Sequence, residues 1–196
     1  MMHGFILIVF AAPLFYIYPG ECGDANTPYQ KRMLYTAVGY FFYDFIAVCY
    51  YGLMEPATFF HHLICIIGMT LPLTYGMSAN FVVRGMHAAE CADPLIHSRV
   101  ILRHYGLKYT QTYEVVEILF MFVYVIGRVG LYSYATWSTC VCDQNHWMVK
   151  FVAVALVVHT MYFVSIIVGI YGKRFKEISD RSRLKVKTRW FEPLNK

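Results

Sequence analysis

Two adjacent histidines, His61 and His62, stand near the start of a long apolar stretch, FFHHLICIIGMTLPL. Imidazole exchanges protons readily near neutral pH, so a buried pair suggests either acid–base chemistry or hydrogen bonding between helices. Neighbouring helical residues point about 100° apart, so one histidine can face a pocket while the other faces an adjacent helix. The sequence leaves both interpretations open.

The composition identifies the chain as an integral membrane protein. Hydrophobic residues make up 58% of its 196 residues and charged residues only 15%, whereas soluble domains carry about 25% charged residues. The apolar runs are continuous rather than alternating, which predicts helices. We expect an all-α bundle of about six transmembrane helices. The predicted spans are 4–18, 33–53, 57–76, 79–103, 114–134 and 146–171.

Several ionisable residues fall inside these spans. Such groups are costly in a membrane, so they usually face the bundle interior and are candidates for function. With a helical rise of about 1.5 Å per residue, they lie at depths that let them surround one polar pocket. They are Asp44, His61, His62, Glu90, Arg128 and His159. In the alternative interpretation, Arg128 forms an ion pair with Glu90 or Asp44 that only locks the bundle.

The predicted fourth span, 79–103, is unusually polar for a membrane helix. His87, Glu90 and Asp93 recur three residues apart and therefore share one helix face. Pro94 opposes the carbonyl of Glu90 and leaves that carbonyl without its helical hydrogen bond. Because such a helix is unstable in contact with lipid, it must be enclosed or line a wet cavity. We therefore predict that it forms a cavity wall.

Basic residues are concentrated after the last span, in KRFKEISDRSRLKVKTRWFEPLNK. Six alternating spans put both termini on one side, here called the near side. The loop at 137–145, on the far side, contains no Lys or Arg. By the positive-inside rule, the termini face the cytosol or a matrix-like compartment, as in the endoplasmic reticulum or the mitochondrial inner membrane. The tail, 173–196, is expected to contact anionic lipids or other membrane subunits; no nucleic acid partner is expected.

The chain shows no internal repeat and no low-complexity linker, which indicates a single transmembrane domain. We divide it into an N-terminal hydrophobic segment with a far-side loop, 1–32, the transmembrane domain, 33–173, and a basic C-terminal tail, 174–196.

The cysteines and histidines bear on redox and metal chemistry. Cys22, Cys140 and Cys142 fall in far-side loops, where Cys22 can pair with Cys140 or Cys142 if that side is oxidising; three free thiols are the alternative. A metal site is not expected, because adjacent histidines cannot share a metal and no C-x2-C pair is present. The scattered histidines also exclude a membrane desaturase with histidine boxes.

Several motifs occur together and in order in the middle of the chain. They are GYFFYDF, FFHHL, NFVVRGMHAAECADPLIHSR and the intramembrane Arg128. Their key residues are Tyr43, Asp44, His61, His62, Glu90, Pro94 and Arg99. Over about 33–173 the chain resembles the TLC-domain family, which includes ceramide synthases and translocon-associated membrane proteins. The resemblance is greatest to the small TLC-domain-only branch.

The resemblance implies a helix bundle around a membrane-embedded cavity that receives an acyl chain. The motif residues, with His87, Arg128 and His159, are then expected to line that cavity. In ceramide synthases the histidine pair lies close to acyl transfer, which makes His61 and His62 the catalytic candidates. A bound phospholipid or acyl lipid is expected, and no cofactor.

One synthase element is missing from this chain. The H-D-x-x-D positions of ceramide synthases fall here on Val82, Val83 and Met86, so we expect no ceramide synthase activity. One hypothesis is a protein that binds or handles lipid acyl chains and, if it is an enzyme, resembles an acyltransferase. The other is a non-enzymatic accessory subunit of a larger membrane complex, such as one in the mitochondrial inner membrane.

Overall fold

The computed structural model describes residues 9–12, 17, 20–184 and 189–192. The elements named within this part of the chain are all helical, which confirms the predicted all-α class. In order they are α1 (Pro28–Tyr50), α2 (Pro56–Tyr75), α3 (Ala79–Glu90), α4 (Asp93–His104), α5 (Gln111–Tyr124), a π-helical segment (Val125–Leu131), α6 (Tyr132–Val141) and α7 (Trp147–Arg183).

Four helical stretches are long and apolar enough to cross a membrane. They are α1, α2, the continuous rod from α5 through the π-helical segment to α6, and α7. These match the predicted second, third, fifth and sixth spans. The predicted first span, 4–18, lies outside the described residues except for 9–12 and 17.

The predicted fourth span is not one helix. It is divided into α3 and α4, of 12 residues each, by a turn at Cys91 and Ala92. Pro94 explains the break, because its ring cannot donate a hydrogen bond to the carbonyl of Glu90. The prediction of a single continuous span over 79–103 was therefore wrong, and two shorter helices together make this passage.

The helix ends follow from local sequence. Before α1, the Thr27 hydroxyl accepts from the Gln30 amide at 3.2 Å, and the Gln30 side chain accepts from the Thr27 amide at 2.8 Å. This reciprocal capping box satisfies two amides that a helix start otherwise leaves free. Proline begins α2 at Pro56, and Gly76 ends it in the left-handed conformation with φ of 74°. Both are favoured types at those positions.

The helix α3 lies at the centre of the bundle. It contacts α1, α2, the π-helical segment and α6, and Val83 on α3 is fully buried with Leu34 and Ala37 of α1. At Gly127 an added Cβ would lie 2.3 Å from Sγ of Cys91 and 2.8 Å from the carbonyl oxygen of Ala88. A glycine at this position therefore lets the π-helical segment pack directly against α3.

The far-side loops are tied together by a disulfide and by polar contacts. Cys22 is bonded to Cys142, and Cys140 is free. The two predicted pairings were open, and the structure selects this one. Nearby, the Ser78 hydroxyl donates to the Asn145 side chain at 2.6 Å. These contacts join the segment before α1 to the loops that precede α3 and α7.

On the near side, a buried carboxylate joins three helices. Glu117 of α5 accepts from Arg99 of α4 at 3.0 Å and from Arg174 of α7 at 2.7 Å. Arg174 also reaches Glu177, at 2.7 Å, and Arg181 pairs with Glu114. We call these residues the near-side cluster; its members are Arg99, Glu114, Glu117, Arg174, Glu177 and Arg181.

The last helix is longer than a bilayer requires. Its 37 residues correspond to about 55 Å, whereas the hydrocarbon core is about 30 Å thick. The predicted domain boundary at 173/174 thus falls inside α7. The tail also returns to α5, because the Thr112 hydroxyl donates to the carbonyl of Trp190 at 2.5 Å. Part of the basic tail is therefore packed on its own chain.

The near-side cluster yields a stability prediction. Glu117→Gln leaves the guanidinium of Arg174, which is 6% exposed, without a buried counter-charge. We expect the free energy of unfolding to fall by about 3–5 kcal/mol, since breaking a buried ion pair leaves an uncompensated charge. Titration of the protein with sodium dodecyl sulfate measures this free energy.

Glu177→Gln is the matched control, because Glu177 contacts the same arginine at the same distance but its side chain is 53% exposed. It should cost less than about 1 kcal/mol. Equal losses for the two substitutions would show that burial of Glu117 does not set its importance.

Candidate functional site

Two adjoining cavities lie inside the bundle. The first cavity, of about 90 Å³, lies between α2, α3, α6 and α7; we call it the chain cavity. The second cavity, of about 190 Å³, lies between α2, the end of α5, the π-helical segment and α7. His61, Arg128 and Thr160 line both cavities, so the two meet at these side chains.

Four ionisable residues of these walls lie at nearly the same depth. Counted from the far-side ends of their helices, at about 1.5 Å per residue, the depths of Glu90, His159, Arg128 and His61 range from about 16 to about 21 Å. This level is near the middle of a hydrocarbon core about 30 Å thick. The sequence argument had placed these residues around one pocket, and the structure brings them together there.

From this polar level the chain cavity runs towards the far side between mostly apolar walls. Met69, Phe81, Val149, Val152 and Leu156 contribute to its sides. Its lining on α7 extends from Val149 to Thr160, which corresponds to about 16 Å. The cavity is therefore apolar along its length and polar at its mid-membrane end.

Small residues shape the walls of the chain cavity. An added Cβ at Gly68 would lie 2.9 Å from Cγ1 of Val152, and one at Gly85 would lie 3.2 Å from Cε2 of Tyr132. Larger residues would therefore push α2 away from α7 and α3 away from α6. Ala135 and Ala153 also line the cavity, so filling substitutions are available at positions where a side chain already points inwards.

His61 faces the cavities. Its ring stacks on that of His159, with centroids 5.2 Å apart and an interplanar angle of 19°. The thiol of Cys65, one turn later, lies 3.7 Å from its Nε2 atom. The Nε2 atom of His159 in turn donates a hydrogen bond to the carbonyl of Ala57 at 3.2 Å. His61 is thus held by ring packing and by the Cys65 thiol, and its side chain lines both cavities.

His62 has a different role. It is 5% exposed, its Nδ1 atom lies 2.9 Å from the carbonyl oxygen of Thr58, and its Nε2 atom lies 2.7 Å from Oδ2 of Asp44. Since a carbonyl oxygen only accepts, Nδ1 donates, and a proton lies between Nε2 and the carboxyl of Asp44. His62 therefore connects α2 to α1 and has no ring nitrogen left for a substrate.

Arg128 lies in the π-helical segment, at the junction of the cavities. Its guanidinium lies over the ring of Tyr124, 5.7 Å from the centroid. Within the described residues no carboxylate lies within 4.0 Å of it, and its buried Nε atom has no hydrogen-bond partner. The proposed ion pair of Arg128 with Glu90 or Asp44 is therefore not formed. Such π-helical turns are frequent at functional sites.

Other residues predicted to line the cavity lie elsewhere. Tyr43 is on the outer surface of α1, with 71% of its area exposed. Arg99 belongs to the near-side cluster, where it pairs with Glu117. His87 is buried in α3, and Pro94 lies at the start of α4, both outside the two linings. The motif residues therefore do not form one site. Some line the cavities, some join α1 to α2, Arg99 belongs to the near-side cluster, and Tyr43 lies on the outer surface.

Two residues of interest were missed from sequence. Glu117 was not identified as a candidate from the sequence. Its partners, Arg99 and Arg174, come from 18 and 57 residues away. Cys65 was treated as an ordinary span residue, although its spacing of four from His61 could have indicated a shared helix face.

The arrangement of the described side chains bears on metal binding. Among the described residues, no group of three or more His, Cys, Asp or Glu side chains is arranged to hold a metal ion. What the arrangement can do is bind: it offers an apolar enclosure with a cation, imidazole rings and threonine hydroxyls at one end.

The contact between Asp44 and His62 gives a test of the histidine assignment. Asp44→Ala removes the partner of a buried imidazole nitrogen and should lower the free energy of unfolding by about 1–3 kcal/mol. Asp44→Asn should retain most of the stability, because its amide can donate to Nε2. Thermal unfolding in detergent measures both, and an unchanged melting temperature for Asp44→Ala would contradict the structural role.

Comparisons with known proteins identify the family. The family model described as the TLC domain matches residues 1–172 of the chain, which includes both cavities. No solved structure is a significant match. The matched range contains the polar residues of the cavities and three of the six residues of the near-side cluster, Arg99, Glu114 and Glu117. The protein belongs to the TLC-domain family, and is a membrane protein of a lipid-related kind.

Proposed function

We propose that the protein binds a membrane lipid and holds its acyl chain in the chain cavity. The observation that supports this most strongly is the shape of that cavity, which is apolar for about 16 Å of helix length and polar at mid-membrane. Burying an acyl chain among such walls resembles its environment in the bilayer, so the polar end supplies the selectivity.

The surroundings of the cavity suggest how a lipid enters. Asn145, which is fixed by Ser78, donates to the carbonyl of Thr139 at 2.9 Å, and Thr139 lines the chain cavity. The far-side loops therefore cover that end. Towards the near side, Tyr124 of α5 and Phe163 of α7 line the second cavity. We propose entry from the membrane between these two helices.

The proposal is lipid binding, without ceramide synthesis. His62 is fully engaged with Thr58 and Asp44, so the histidine pair does not present two free imidazoles to a thioester. His61 alone faces the cavities, and its nearest polar neighbours are the Cys65 thiol and the His159 ring. These contacts favour a binding role for His61.

The accessory-subunit alternative gains no specific support. It relied in part on the basic tail, in which Arg174 and Arg181 pair with Glu117 and Glu114 of the same chain. Charges neutralised in this way attract an acidic partner less strongly. A lipid-binding bundle with a tail packed against α5 is the simpler proposal.

We further propose that the far side faces an oxidising compartment, such as the lumen of the endoplasmic reticulum. The bond between Cys22 and Cys142 lies on that side, and disulfides persist in oxidising compartments. The basic near side then faces the cytosol, in agreement with the positive-inside rule. The two arguments are independent and give the same orientation.

A filling substitution tests the cavity. Ala153→Phe places a ring in the chain cavity, which Ala153 lines, and should displace the acyl chain. We expect the fraction of protein that carries a co-purified lipid, measured by native mass spectrometry after mild detergent extraction, to fall at least about tenfold, which corresponds to about 1.4 kcal/mol.

Val154→Phe is the matched control, because Val154 is the next residue and is 47% exposed on the outer face of α7. It should retain lipid as the unmodified protein does. Thermal unfolding verifies that both variants are folded. A similar lipid content in Ala153→Phe and Val154→Phe would then contradict the proposed site.

A further inference from the structure

We infer that the bound lipid carries an anionic group, a carboxylate or a phosphate, that binds Arg128 in the second cavity. The inference rests on the proposed lipid site and specifies the chemistry of its polar end. We call the second cavity the anion chamber; it is lined by Thr58, His61, Tyr124, Arg128, His159, Thr160 and Phe163.

The first argument is the charge of Arg128. An arginine side chain stays protonated in proteins, and a charge near the middle of a bilayer is costly unless it is paired or hydrated. In the part of the chain that the structure describes, the guanidinium contacts the ring of Tyr124 and reaches no carboxylate within 4.0 Å. An oxyanion in the chamber would supply the counter-charge.

Other arginines of this protein are paired with carboxylates. Arg99 and Arg174 both reach Glu117, at 3.0 and 2.7 Å, and Arg181 pairs with Glu114. These three lie towards the near side. Arg128, about 16 Å deeper along the rod from Glu117, lacks such a partner although the cost of an unpaired charge is greater there.

The second argument is the lining of the chamber. Besides Arg128, it is lined by the polar residues Thr58, Thr160, His61 and His159; the Nε2 atom of His159 already bonds the carbonyl of Ala57, and none of the seven lining residues is acidic. Glu90 lines the chain cavity together with Arg128 and interacts with it electrostatically, but does not line the anion chamber. The chamber thus combines one cation with hydroxyl groups and no carboxylate, which suits an anion.

The geometry fixes which end of the lipid lies where. The chamber meets the chain cavity at His61, Arg128 and Thr160. A lipid with its acyl chain in the chain cavity therefore presents its polar group to the chamber. The volume of the chamber, about 190 Å³, holds several water-sized groups, so both a carboxylate and a phosphate fit. Arginine binds either through two parallel hydrogen bonds.

Arg84 provides a matched comparison. Its buried Nε atom also has no hydrogen-bond partner, and its guanidinium lies over the ring of Phe81, 5.0 Å from the centroid. However, Arg84 is only about 7 Å from the far-side end of α3 and lines neither cavity. Its long side chain can extend to the interface. The substitution Arg84→Gln should leave lipid selectivity unchanged.

The experiment compares charged and uncharged lipids with the same chains. Full-length protein in detergent, buffered above neutral pH so that carboxyl groups are ionised, is titrated with oleate or methyl oleate and with phosphatidic acid or diacylglycerol. Bound lipid is measured by native mass spectrometry. We expect the unmodified protein to prefer the anionic member of at least one pair by about tenfold to 100-fold.

Two variants connect that preference to Arg128. Arg128→Gln should remove the preference while binding of the uncharged lipid persists, and Arg84→Gln should keep it. A preference for oleate alone identifies a carboxylate, and one for phosphatidic acid alone identifies a phosphate. Either result supports the inference.

Two outcomes would overturn it. One is equal binding of the charged and uncharged members of both pairs by the unmodified protein, a comparison that requires no variant. The other is an undiminished preference in Arg128→Gln. Failure of the proposed function looks different, because the unmodified protein would then bind none of the four lipids, and Ala153→Phe would change nothing.

Discussion

A charge buried among membrane helices must be matched by an opposite charge, and the contacts of Glu117 satisfy this requirement on the near side. Glu117 accepts from Arg99 and Arg174, so one carboxylate fixes α4 and α7 relative to α5. The hydroxyl of Tyr171 also donates a hydrogen bond to the backbone carbonyl of Glu117 at 2.7 Å. Because Arg128 and His159 stand on the two helical rods joined here, the size and position of the cavities depend on these contacts.

The two adjacent histidines illustrate how one helix can serve structure and binding at once. His62 points to α1 and is fixed between Thr58 and Asp44, whereas His61 points into the bundle and stacks on His159. Their angular separation follows from helical geometry alone. A protein that retained only the fold would need His62; a protein that binds a polar lipid group uses His61.

Much of the fold could be predicted because hydropathy locates the apolar spans, as for α1 and α2; it did not predict that α7 continues to Arg183. The break at Cys91 was missed because a proline inside a membrane helix can either kink it or end it, and packing decides. The partners of Glu117 were not predictable, since side chains 57 residues apart meet only in the folded bundle. The π-helical turn around Arg128 was also missed, because its composition differs little from that of an α-helical span.

We propose that a lipid chain occupies the interior of the bundle. Photo-crosslinking with a fatty acid that carries a diazirine near its methyl end tests this most directly, with the labelled residues mapped by mass spectrometry. The account predicts labels on inward residues towards the far side, such as Met69, Val149 and Val152, which line the chain cavity. Labels confined to outward residues such as Phe151 and Val154, which face away from the bundle, would contradict it.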